Sequence, residues 1–199
     1  MRFAPTDLSG VLIIEPDVHR DARGFFLETY HATKYHDAGL FVPFVQDNQS
    51  SSVRNTLRGL HLQLRKPQGK LVRVVEGEIW DVAVDLRCGS PTFGRWNAVI
   101  LSADNFKQLY VPPGCAHGFC VLSHHAQIEY KCTALYDPCD EVGIAHNDPV
   151  LAIPWPVQQP LLSERDKRNI SFSAFIDLLS DFNTSVDVAE PAVGIRANL

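Results

Sequence analysis

The chain has 199 residues, 45% of them hydrophobic, a length and composition that suit one compact globular domain with a buried core. Its formal net charge of -5 lacks the positive field that a broad nucleic-acid or membrane surface needs, so any anionic ligand must be held locally. The five cysteines, an odd number without a Cys-x-x-Cys pair, suggest neither a disulfide framework nor a thiolate metal site and fit a reducing cytoplasm.

The N-terminal apolar run Val11-Leu12-Ile13-Ile14 is too short for a signal peptide and stops at Glu15-Pro16. No later run approaches membrane-spanning length, so the chain is expected to be neither exported nor inserted. A short helix is expected over Glu28–Ala38, ending before Gly39. Around it, β-branched and aromatic runs at Val11–Ile14, Phe25–Thr29, Leu71–Val75, Glu78–Leu86, Trp96–Leu101, Gln108–Val111, Gly118–Leu122 and Gln127–Thr133 are punctuated by Gly, Pro, Asn and Asp. That spacing predicts an all-β sandwich or barrel. In the longest run, Trp80, Val82, Val84 and Leu86 alternate with Asp81, Ala83 and Asp85, as in a strand with one face in an apolar core. If the sheet curls into a jelly roll, the polar face can line a cavity, where a site would sit. A second helix is expected over Ser173–Phe182, behind a serine able to cap it. Residues 183–199 have no sustained periodicity and contain Pro191 and Gly194, so a folded domain over 1–182 and a loose C-terminal tail are expected.

The stretch Leu57-Arg58-Gly59-Leu60-His61-Leu62-Gln63, followed by Gly69-Lys70-Leu71-Val72-Arg73, sets a candidate base beside cations on strand-like sequence. A neutral imidazole accepts a proton near neutral pH, and a nearby lysine stabilises the negative charge that proton removal leaves behind. That is the chemistry of a carbanion beside a ketone. A lone histidine between leucines is also, and more commonly, a packed core residue, so both readings stand at this point. A second cluster, Val111-Pro112-Pro113-Gly114-Cys115-Ala116-His117-Gly118-Phe119, is a rigid turn that delivers His117 to the start of a strand. Its Pro-x-Gly-x-x-His is similar to the second sequence motif of cupins, small jelly-roll barrels that often bind a metal through clustered imidazoles. The first cupin motif normally offers His-x-His, whereas this chain has His61 and Gln63, which argues against a metal site of three or four ligands.

Taken in order, Asp21–Glu28, Phe44–Asn48, Leu57–Gln63, Gln68–Val75, Ser90–Trp96, Pro112–Phe119, Tyr130–Thr133 and Leu162–Asp166 resemble the dTDP-4-dehydrorhamnose 3,5-epimerases, RmlC-type cupins of deoxysugar biosynthesis. The resemblance covers nearly all of residues 1–170. It implies a cupin jelly roll and a cofactor-free inversion of C3 and C5 in a dTDP-4-keto-6-deoxyhexose, both carbons flanking the C4 ketone. It implies His61 as proton acceptor, Asp166 as the carboxylate that orients it, Lys70 beside the C4 oxygen and Tyr130 as the acid on the opposite face. For substrate holding it implies Arg23, Glu28, Gln46, Asp47, Asn48, Arg58, Lys70, His117, Glu141 and Arg165, with Tyr136 stacked on thymine. Arg23 and Arg58 suit a diphosphate, because guanidinium groups pair with phosphate oxygens through charge-assisted hydrogen bonds. A homodimer with strands exchanged across a two-fold interface is also implied. Three positions depart from the pattern: Arg165 stands for a common Lys, Leu62 for a usual Tyr and Cys115 for a usual Phe. Those departures leave a single-centre epimerase open, and a metal-dependent cupin oxygenase or isomerase and a non-catalytic nucleotide-sugar-binding module are the alternatives from other classes.

Overall fold

The computed structural model describes residues 1–187, with side chains described to Phe182. Its strands are β1 (Arg2–Pro5), β2 (Leu12–Glu15), β3 (Val18–Asp21), β4 (Gly24–Leu27), β5 (Gln46–Val53), β6 (Leu57–Gln63), β7 (Lys70–Glu76), β8 (Glu78–Asp85), β9 (Trp96–Ser102), β10 (Gln108–Val111), β11 (Cys115–Val121), β12 (His125–Cys132) and β13 (Glu141–Gly143). Helix α1 (Ala32–Asp37) precedes β5, and a 3-10 turn at Asp166–Arg168 and helix α2 (Phe172–Asp187) follow β13. Six strands form one sheet in the order β1-β2-β10-β7-β12-β5, and five form a second in the order β13-β6-β11-β8-β9. Among the described residues β3 and β4 pair only with each other. The two large sheets face one another as a cupin jelly roll, sharing a core in which Val72, Val74, Leu109 and Ile128 of the first meet Ile79, Ala83, Phe119 and Val121 of the second. Each of these buried valine, leucine and isoleucine side chains contributes about 1.5–3 kcal/mol.

The second sheet is apolar on its outer face as well. Leu60, Leu62, Val82, Val84 and Ala116 pack there against Leu151, Ile153, Phe172 and Phe175, so the C-terminal segment and α2 close that side. Hence β8 is buried on both faces, and Trp80, Val82, Val84 and Leu86 point outward into this second core while Asp81, Ala83 and Asp85 point into the barrel.

Both helices differ in extent from expectation. α1 begins only at Ala32, because the Thr29 carbonyl is taken by the Gln108 side-chain amide at 2.9 Å and by the Tyr35 hydroxyl at 3.4 Å, which holds residues 28–31 out of the helix. α2 begins at Phe172, with the Ser171 hydroxyl accepting from the Ala174 amide at 3.2 Å, and it runs to Asp187, past the boundary expected at 182. The rest of the expected tail, 188–199, lies outside the described residues. Among the described residues no helix is long and apolar enough to cross a membrane.

Candidate active site

The site is a cavity of about 390 Å³ between the two sheets, at the end where β5, β6, β7 and β12 meet. Alternation decides which side chains enter it. On β5, Gln46, Asn48 and Ser50 face inward while Asp47 and Gln49 face out, and on β12 Tyr130 and Cys132 face inward while Glu129 and Lys131 face out. Lys70 opens β7 directly opposite Cys132.

β6 breaks the alternation. Arg58 and His61 are three residues apart and would point to opposite faces of a regular strand, yet both line the cavity. The cause is a bulge: His61 pairs with His117 and Arg58 with Phe119, so three steps on β6 match two on β11. Gly59 makes this possible. It has a φ of 120°, and a Cβ added there would lie 2.5 Å from the Gly118 Cα and 2.7 Å from the His117 carbonyl oxygen.

Asp166 reaches His61 from 105 residues away because the C-terminal segment is pinned along β6 and β13. Thr56 bridges Leu161, Ile144 bridges Ile170, and the Asn169 amide donates to the Gly59 carbonyl at 3.1 Å. The His61 Nε2–H donates to Asp166 Oδ1 at 2.6 Å, and the Ser163 hydroxyl donates to Asp166 Oδ2 at 2.8 Å. Burial pushes the Asp166 carboxyl up, but the hydrogen bonds from His61 and Ser163 outweigh it and hold the group below the usual carboxylate range. An ionised carboxylate only accepts, so the imidazole must donate from Nε2, which leaves Nδ1 as the lone-pair nitrogen. Glu141 Oε1 stands 3.9 Å from Nδ1, too far for a hydrogen bond.

The Lys70 ammonium makes no hydrogen bond or ion pair to any described residue, and burial pushes its pKa below the ordinary lysine range although Cys132, Glu141 and Asp81 pull the other way. Burial also pushes the Tyr130 hydroxyl up, reinforced by the neighbouring Cys132 and Glu141, so it is protonated at neutral pH. His117 donates from Nε2 to both oxygens of fully buried Asp81, at 2.9 and 3.0 Å. At the mouth, the Tyr136 hydroxyl donates to Glu141 Oε2 and accepts from Arg165, both at 2.9 Å, while Arg165 also pairs with Glu141. The Gln46 side chain accepts from the Tyr136 backbone amide at 2.8 Å and donates to Asn48 at 3.0 Å.

The fold therefore gathers His61, Lys70, Tyr130, Asp166, Gln46, Asn48, Arg58, His117, Tyr136, Glu141 and Arg165 in one cavity. Three expected residues lie outside it. Asp47 is on the outer face of β5, paired with Lys131 at 2.9 Å, because neighbours on a strand point opposite ways. Arg23 pairs with Asp21 and Glu28 with Lys34 on and beside the β3–β4 hairpin, whose Phe25 and Phe26 are exposed. Of the three departures from the family pattern, only Arg165 borders the cavity; Leu62 is in the outer core and Cys115 in the inter-sheet core, so neither touches a ligand there. Gln63 is buried and ties down the loop beyond it, donating to the Lys66 carbonyl at 2.8 Å and accepting from the Asp137 amide at 2.9 Å.

Sequence reasoning missed Ser50, Gln68 and Ser163 as cavity residues and Asp81 as the partner of His117. Asp81 did leave a signal, a carboxylate at the centre of a strand whose flanking residues are all apolar. The serines left none.

The model of the family described as dTDP-4-dehydrorhamnose 3,5-epimerase matches residues 5–174. The chain belongs to that family. It is 53% identical over 175 residues to the dTDP-4-dehydrorhamnose 3,5-epimerase of Pseudomonas aeruginosa, covering 87% of this chain and 97% of the relative. It is similar to the crystal structure of dTDP-6-deoxy-D-glucose-3,5-epimerase RmlC from Legionella pneumophila in complex with dTDP-4-keto-L-rhamnose, with a TM-score of 0.84 and 48% identity over 86% of this chain and 93% of that one. A dTDP-4-dehydrorhamnose 3-epimerase from Streptomyces niveus is 40% identical over 200 residues, covering 98% of this chain and 97% of the relative. As a member of the epimerase family the chain is an isomerase.

Proposed function

We propose that the chain inverts C3 and C5 of dTDP-4-dehydro-6-deoxy-D-glucose to give dTDP-4-dehydro-L-rhamnose, with His61 as the base of both steps. His61 Nδ1 takes the proton from the carbon next to the ketone, and the C–H electron pair moves into the C4 carbonyl as an enolate. Asp166 stabilises the imidazolium that forms, and Lys70 stabilises the oxyanion. The Tyr130 hydroxyl then delivers a proton to the opposite face of the same carbon, which inverts it, and solvent restores both groups. The observation that carries this reading is the ionised Asp166 bound to His61 Nε2 in a cavity that also holds an ammonium with no partner among the described residues.

Arg58 suits the diphosphate, and Tyr136, locked between Glu141 and Arg165, suits the thymine. Arg23 and Glu28 serve a different cavity from their own: the protein is a homodimer in which the hairpin, with Phe25 55% and Phe26 71% exposed, reaches the partner's site. It acts in the cytoplasm, on a substrate rather than on nucleic acid or membrane, and needs no cofactor. The domain runs over residues 1–182. A single-centre reaction is the second reading, favoured by the match to the 3-epimerase over almost the whole chain, against the higher identity to 3,5-epimerases.

The test is incubation of the keto sugar in deuterated water with NMR of the product. Deuterium at C3 and C5 together with L-rhamno stereochemistry is the expected result. Exchange and inversion at one carbon alone would establish the second reading, and no exchange at either would refute both.

A further inference from the structure

Tyr136 stands between β12 and β13, on a segment that belongs to no strand or helix. Backbone groups without a ladder need other partners, and here side-chain amides supply them. The Gln68 amide donates to the Ala134 carbonyl at 2.7 Å, the Gln63 amide donates to the Leu135 carbonyl at 3.3 Å, and the Gln63 side-chain carbonyl accepts from the Asp137 amide at 2.9 Å. With the Gln46 side chain accepting from the Tyr136 amide, each residue from Ala134 to Asp137 is held by a glutamine.

Gln63 is the hub of this arrangement. It is buried, and its second amide hydrogen goes to the Lys66 carbonyl at 2.8 Å, so the carboxamide is fixed by three bonds. Its backbone matters as much. Across β13 and β6 it lies directly opposite Glu141, whose carboxylate accepts from the Tyr136 hydroxyl. One position on β6 therefore sets both ends of Tyr136: the flanking peptides through its side chain, the hydroxyl through its strand partner. Buried Asp140 braces the loop that follows β6, accepting from the Arg65 and Lys66 amides at 2.8 Å each. Tyr136 itself is 44% exposed at the mouth, so it is held at backbone and hydroxyl while part of its surface stays open.

We propose that Gln63 and Gln68 are positioning residues for nucleotide recognition, holding the 134–137 segment so that Tyr136 presents its ring to the base before the substrate arrives. This rests on the epimerase reading of the cavity, in which Tyr136 meets the thymine. An aromatic side chain that is free must lose its freedom on binding, at a cost in affinity; one that is held has lost it already in folding. The position at which the first cupin motif offers its second imidazole thus carries a strut of the recognition segment. Neither glutamine hydrogen-bonds to His61, Lys70 or Tyr130, so the effect falls on binding and spares the chemical step.

Gln63→Met and Gln68→Met remove the amides with little change of volume, and calorimetric titration with dTDP beside steady-state kinetics on the keto sugar tests the assignment. Each variant is expected to weaken dTDP binding by about three- to tenfold, the cost of ordering one aromatic side chain on binding, and KM should rise by a similar factor while kcat holds within about twofold. In a Tyr136→Ala background the same substitutions should change dTDP affinity no further, because they act only through that ring. A fall in kcat with KM unmoved would place their effect at the reacting carbons, a loss that persists in full beside Tyr136→Ala would route it elsewhere, and unchanged affinity in both variants would show that the segment keeps its shape without them; each of these overturns the proposal. If Gln63→Met does not fold, Gln68→Met, which removes a single hydrogen bond, decides alone. Failure of the wild-type protein to bind dTDP would overturn the epimerase reading itself, whereas wild-type binding and turnover with indifferent variants would overturn only this inference.

Discussion

Asp166→Asn replaces a buried carboxylate by an amide of nearly the same shape, so it isolates the value of the charge beside His61. The amide oxygen can still accept from Nε2–H and keep the tautomer, while the Ser163 hydroxyl retains a partner. What is lost is the attraction between the carboxylate and the imidazolium that forms when Nδ1 takes a proton. Two unit charges about 4 Å apart at an effective dielectric of about 20 attract by about 4 kcal/mol, which corresponds to about a thousandfold in rate once proton transfer is complete. In a transition state with the proton still in flight the loss is smaller, so exchange is expected to slow by about 10²–10³-fold. Arg58, Tyr136 and Arg165 make no hydrogen bond to Asp166, so KM and dTDP affinity should stay near their wild-type values. Deuterium incorporation followed by NMR at saturating substrate, with calorimetry of dTDP binding, reads both quantities. An exchange rate within about threefold of wild type, or a rise in KM with kcat intact, would refute the argument that the carboxylate acts by supporting the protonated base.

Three further outcomes follow from the same geometry. Because burial lowers the Lys70 pKa, its ammonium loses its proton at a lower pH than an ordinary lysine, so kcat should fall with rising pH before the ordinary lysine range; Lys70→Arg should remove that alkaline limb, and a limb unmoved in the arginine variant would assign it elsewhere. Tyr130→Phe leaves the base and the ammonium in place, so NMR should show deuterium entering C3 or C5 without matching inversion, whereas wild-type inversion of both centres would exclude Tyr130 as the acid. Gly59→Ala sets a methyl 2.5 Å from the Gly118 Cα at a φ that L residues avoid, so denaturant melts should show a loss of about 2–4 kcal/mol, with activity falling alongside; a neutral variant would mean that the two strands separate freely.

How much of this was legible in the sequence depended on what each strand faces. β10 matches its expected range because all four residues of Gln108–Val111 are buried between neighbours, and β8 was found through alternation that two cores impose. β5 carries Gln-Asp-Asn-Gln-Ser-Ser-Ser-Val, a polar run that no hydrophobic pattern marks, since its inward face meets a ligand cavity rather than apolar side chains. β1, β3 and β13 were missed because Arg-Phe-Ala-Pro, Val-His-Arg-Asp and Glu-Val-Gly hold no run of β-branched or aromatic residues, unlike the equally short β2 and β10. Of the residues that do chemistry, His61 and Lys70 stood out by residue type as a candidate base beside a cation, whereas Tyr130 and Asp166 were legible only through the family resemblance, and that carried over a consecutive Gln46, Asp47 and Asn48 without the alternation that sends Asp47 outward. Arg58 shows the reverse case. Period-two reasoning from His61 places it outside, and only the bulge at Gly59 returns it to the cavity.

The route by which Asp166 reaches His61 also splits the catalytic pair along the chain. Apart from Ser163, Arg165 and Asp166, every residue of the cavity precedes Gly143, and the connection to those three passes through Gln158 and Gln159, both exposed to solvent. A protease cutting there severs no strand of either sheet. It would leave a barrel still equipped to hold a nucleotide, with the carboxylate retained only through the bridges at Leu161 and Ile170 and the Asn169 amide. During synthesis on the ribosome the same order applies: the histidine and the two large sheets are made first, and the group that turns that histidine into an effective base is translated afterwards, together with Arg165.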